Sequence, residues 1–116
     1  MASSIDLPNR HSRERRNFPR VLYRTTAEIE AAGGRWPVQL VDLSFSGALV
    51  VSTNTCPLDV SDELILHVNL HEEGRIKMRG HLAHVQGSYL GIECTPAGID
   101  HRAKLRRLIK TFNRAG

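Results

Sequence analysis

Arginines crowd the stretch Arg13-Glu14-Arg15-Arg16-Asn17-Phe18-Pro19-Arg20. A guanidinium group holds a phosphate through a fork of two hydrogen bonds, stacks on a planar base, and pairs with the O6/N7 edge of guanine. Arg16 and Arg20 form an RxxxR pair, and Pro19 keeps the residue ahead of it extended rather than helical. The pair therefore suits a ligand with both an anionic and a guanine part. Lysine, a strongly hydrated point charge, would serve such a ligand poorly.

A second polar stretch, Asp42-Leu43-Ser44-Phe45-Ser46-Gly47, lies between two apolar runs in a DxSxxG pattern. Asp42 has the acceptors for the N1–H and N2 amino group of guanine. Ser44 has a hydroxyl that donates to a phosphate or accepts from a base, and Gly47 permits positive φ or close backbone approach. A carboxylate beside a phosphate would be repelled, so Asp42 is expected to face the base. The competing reading is a local turn in which Asp42 and Ser44 cap their own backbone.

The elements that would carry these groups follow from periodicity. Residues 1–12 are polar and aperiodic, read as a flexible arm ahead of one domain spanning 13–116. Val21, Tyr23, Thr25, Ala27 and Ile29 alternate with more polar residues as a half-buried strand requires. Ala31-Ala32-Gly33-Gly34 turns the chain into a strand from Trp36 to Val41, with Pro37 at an edge or among its first residues. Ala48 to Ser52 reads as a short buried strand. Leu64, Leu66, Val68 and Leu70 repeat every two residues. Ile76 to Val85 returns with a slip near Gly80, where a bulge is expected. Tyr89 to Cys94 completes about six strands, the pattern of a small antiparallel barrel or sandwich. The period then changes: Leu105, Leu108, Ile109 and Phe112 form the apolar stripe of a helix from Asp100, its expected N-cap, that should pack on one end of the sheet structure.

Charge is distributed unevenly across the 116 residues, whose formal net charge is +4. Residues 10–24 hold six arginines against Glu14, and 102–114 hold six more cationic groups. Nine acidic residues lie between 28 and 93. Such asymmetry implies an anionic partner for at least one end. Nothing points to catalysis: there is no GxSxG elbow and no partnered base. The two cysteines lack CxxC spacing, His67 and His71 would lie about 13 Å apart along a strand, and no metal site or cofactor is expected. No apolar leader core and no run of about 18 apolar residues is present, which reads as a cytoplasmic protein that does not insert in a membrane. Trp36 and Phe45 read as core or rim residues. A basic nucleic-acid-binding barrel is the weaker reading, because aromatics for stacking bases make up only 5% of the chain.

In this order, the RxxxR pair and the DxSxxG corner resemble the signature of the PilZ domain family, bacterial receptors for the second messenger cyclic di-GMP. The layout of arm, six strands, the Leu90-Gly91-Ile92-Glu93-Cys94 strand and terminal helix is similar over most of the chain. The resemblance implies a mainly β, six-stranded antiparallel barrel with a flexible N-terminal arm and a C-terminal helix. It implies a non-enzymatic receptor or adaptor whose arm is ordered by the ligand and which signals to an effector protein in motility, adhesion or biofilm control. Carried over by position, Arg16 and Arg20 would grip the ligand from the arm, with Asp42, Ser44 and Gly47 on the barrel side. An arginine at Arg15 goes with an intercalated pair of ligand molecules in this family. Some relatives have tryptophan where this chain has His84, a smaller ring that still stacks. A family member that has lost ligand binding would act as an adaptor alone.

Overall fold

The computed structural model describes residues 19–54 and 56–115. Six strands follow one another: β1 (Val21–Ala31), β2 (Gly34–Leu43), β3 (Gly47–Val51), β4 (Glu63–Leu70), β5 (Gly74–Gln86) and β6 (Tyr89–Pro96). A helix, α1 (Ile99–Ala115), ends the chain. The sheet closes on itself in the order β1-β2-β3-β6-β5-β4, every pair antiparallel, so the architecture is a barrel rather than a sandwich. Four hairpins join neighbours, but β3 pairs with β6 and β4 with β1, which brings sequence-distant strands side by side.

Alternation drives the closure. On β1, Val21, Tyr23, Thr25, Ala27 and Ile29 point inward while their neighbours stay in solvent or at the surface. Ile29, Leu40, Leu43, Val50, Leu66, Val68, Ile76, Met78 and Leu82 meet in one core with almost no exposed surface. Strand β2 begins two residues before the expected start and runs two beyond its expected end. Pro37 pairs only with Glu28 of β1, since β3 stops at Val51 opposite Gln39, and the missing N–H costs no ladder bond on the open side.

Helix α1 seals one end of the barrel. Leu105, Leu108 and Ile109 are buried, each worth about 1.5–3 kcal/mol of transfer free energy. Phe112 is partly exposed and meets the Tyr23 ring edge-on at 5.3 Å. The first turn is fixed by the Lys77 amide, which donates to His101 Nδ1 at 3.1 Å. Asp100 is not the N-cap: the first intrahelical bond runs from the Arg102 amide to the Gly98 carbonyl, and Gly98, at φ 113°, caps the helix. Asp100 sits inside the first turn, where its charge still favours the helix dipole.

The expected slip in β5 is present but displaced. Pairing with β6 stays regular through Gly80 and Leu82, then jumps from Leu82↔Ile92 to His84↔Gly91, leaving Ala83 as the extra residue. A second shift, between Leu40 and Asp42, leaves Val41 extra on β2. Each bulge turns the following side chain onto the outer wall of the barrel.

Candidate functional site

Both bulges aim at one place. Leu40 faces the core, and unbroken alternation would send Asp42 there too; the extra Val41 instead pairs Asp42 with outward-facing Leu49. Leu82 is likewise fully buried, and the extra Ala83 turns His84 outward over Gly91. A groove of about 890 Å³ lies between them across the outer faces of β3, β6 and β5, lined by Arg20 and Asp42 on one side and Arg79, His81 and His84 on the other.

The groove floor is nearly bare backbone. A Cβ on Gly47 would sit 2.8 Å from the Ile92 carbonyl oxygen and 3.8 Å from the Arg20 guanidinium, so only glycine lets β3 approach β6 with the arginine above it. At Gly91 a Cβ would overlap the His84 imidazole, which therefore lies directly over that residue. The Cys94 thiol, also at the floor, is pushed up to about 12 by burial, against a smaller opposing pull from Arg20. It stays protonated at neutral pH and behaves as an apolar group.

Arg20 stands just before β1 and donates to Asp42 Oδ1 at 2.6 Å, with the arginine 42% and the aspartate 17% exposed. Asp42 thereby holds the guanidinium at the groove edge. Ser44 has turned the other way. It is 1% exposed, its hydroxyl accepts from the Ser46 amide at 3.2 Å, and its own amide donates to the Gly47 carbonyl at 2.9 Å, closing the corner. The serine that lines the groove is Ser46. Phe45, packed against the core, lies under the Arg102 guanidinium at 5.6 Å, which ties α1 to the same corner.

The structure thus brings together Arg20, Asp42, Gly47 and His84, and directs Ser44 into the turn that shapes the groove. Arg15 and Arg16 lie outside the described residues, as does the arm of residues 1–12. Sequence reading missed Arg79, His81, Ser46 and Glu93. The outward phase of Arg79 and His81 was legible beside inward Met78 and Leu82. That β6 would bring β5 next to β3 was not.

A model of the PilZ domain matches residues 14–111. The chain belongs to the PilZ domain family. Solved structures share this PilZ fold at low identity. The PilZ domain of CeSA from a cellulose-synthesizing bacterium superposes with a TM-score of 0.65 at 14% identity, over 82% of this chain and 98% of that one. The PilZ domain of YcgR from Escherichia coli, determined with c-di-GMP, gives 0.69 at 17%, over 87% and 93%. The motility inhibitor MotI/DgrA of Bacillus subtilis gives 0.69 at 19%, over 84% of this chain but 51% of that longer one. Among the described residues no helix is long and apolar enough to cross a membrane, and no group of three metal-ligating side chains converges.

Proposed function

We propose that this PilZ protein is a receptor for cyclic di-GMP that binds it in the groove between Asp42 and His84. The observation that carries the reading is the convergence of Arg20 from the RxxxR pair with Asp42 and Gly47 from DxSxxG at one groove wall. Family membership supports it, since PilZ domains are non-enzymatic receptor or adaptor domains, and the related YcgR domain was determined with this ligand. Asp42 accepts from the guanine N1–H and N2 amino group, Arg20 turns to a phosphate or base, and His84 offers its ring face. Arg15 and Arg16 complete the cation cluster from the N-terminal side. Binding orders that segment and presents a new surface to an effector protein in motility, adhesion or biofilm control. The protein acts in the bacterial cytoplasm.

Ordering a segment costs free energy, so several charge-assisted contacts must offset it. One such contact is worth about 1.5–3 kcal/mol, or roughly ten- to hundredfold in affinity. Isothermal titration of the wild type with cyclic di-GMP, with GTP as control ligand, is expected to give saturable heat for the dinucleotide alone. Arg20→Ala and Arg16→Ala should each weaken it by about that factor. Unchanged affinity in both variants would sink the receptor reading.

A further inference from the structure

Cyclic di-GMP carries two phosphodiester groups on one ring, and among the described motif residues Arg20 is the cation, standing on one side of the groove. The opposite wall has its own. Arg79 extends from the outer face of β5, two residues before His81, which stands opposite Glu93, itself paired with Gly47. With strands about 4.8 Å apart and about 3.4 Å of rise per residue, the Arg79 backbone lies roughly 12 Å from that of Gly47, under the Arg20 guanidinium. Two arginine side chains reaching inward from those positions bracket a ligand of this size.

The charges around the groove single Arg79 out. Arg20 is already paired with Asp42 at 2.6 Å, and His81 stands 3.2 Å from Glu93. Arg79 is exposed and makes no ion pair or side-chain hydrogen bond among the described residues. It also borders a second groove of about 710 Å³, but among the residues lining that one, which include Glu30 and Glu63, there is no second arginine to share an anionic ligand with it, whereas the first groove has Arg20. The first groove is where its charge has an anionic ligand to meet.

We infer that Arg79 is a further ligand-binding residue of this protein, holding the phosphate of a cyclic dinucleotide on the β5 wall, across from Arg20. The inference rests on the receptor reading above. A guanidinium there makes a forked, charge-assisted contact that an ammonium makes less well. Removing it is expected to leave the fold alone, because the side chain is exposed and is not part of the hydrophobic core.

Titration of cyclic di-GMP into wild type, Arg79→Ala, Arg79→Lys and Arg75→Ala tests this. Arg75 shares the strand but lies away from the groove, bonded to Asn69. Arg79→Ala is expected to weaken binding roughly ten- to hundredfold at an unchanged melting temperature, with partial recovery in Arg79→Lys and wild-type affinity in Arg75→Ala. Wild-type affinity in Arg79→Ala, with the wild type binding normally, overturns the assignment of Arg79 and leaves the receptor reading standing. No binding by folded wild type overturns both.

Discussion

At the scale of single residues, the two glycines of the groove floor do different work. Gly47 is held against backbone: the Ile92 carbonyl oxygen, 2.8 Å from where a Cβ would be, belongs to a paired strand and moves only with it. Gly91 is held against a side chain, the His84 ring, which is free to swing outward. Gly47→Ala is therefore expected to lower stability by about 1–3 kcal/mol, as overpacking does. Gly91→Ala should cost much less stability while displacing His84 and weakening ligand binding. Urea denaturation beside ligand titration checks the contrast; equal stability loss in both variants would contradict it. Ser44 shows the limit of reading a motif residue by type. Its hydroxyl has the right chemistry for a ligand, but a polar group at 1% exposure must be satisfied locally, and its own turn is where it is satisfied.

At the scale of elements, bulges decide which face a side chain serves. A regular β5 would carry Leu82 and His84 on the same side, and the alternation of Ile76, Met78 and Leu82 was plain in the sequence. The extra Ala83 breaks that phase, so Leu82 fills the core while His84 faces the groove. Deleting Ala83 should remove the bulge and keep His84 opposite Gly91, because both residues then fall into regular pairing. A cooperatively folded deletion variant with the His84 and Gly91 backbones still close, seen as a cross-strand nuclear Overhauser contact, is the expected outcome. Loss of folding would contradict this account of the strand. The expectation of a bulge near Gly80 located the irregularity but missed its residue, since glycine there serves another purpose: a Cβ on Gly80 would run into the Glu93 carbonyl of β6.

At the scale of the whole molecule, the basic helix and the acidic barrel body are joined at specific points. Arg107 of α1 donates to Glu73 of the β4–β5 turn at 2.8 Å. That hydrogen bond, with the charges of Arg107 and Lys104, holds the Glu73 carboxyl below its ordinary value against the opposing effect of burial. Glu30 is held low in the same direction, first by its 2.8 Å contact with His67 and then by Arg35. A carboxyl lowered in the folded state adds stability above its unfolded value, and that stability is lost as pH falls through the folded one. The melting temperature of wild type should thus exceed that of Glu73→Gln at pH 7, and the gap should close as pH drops through roughly 4 and below. A gap that does not narrow as the pH is lowered would show that Glu73 acts other than through its charge.

The sequence by itself determined the six strands, the closing helix and the two polar motifs, because alternation and the switch to a helical period are local properties of the chain. The PilZ resemblance was legible for the same reason, resting on RxxxR and DxSxxG at fixed spacing. Only the tertiary structure decided that the sheet closes through β3–β6 and β4–β1 pairing, that Asp42 and His84 face one groove, and that Arg79 and Ser46 line it with them. The facing of Asp42 and His84 depends on register shifts of one residue at Val41 and Ala83. A one-residue shift reverses the face of the side chains that follow, and its site is set by how the barrel closes rather than by the residues beside it.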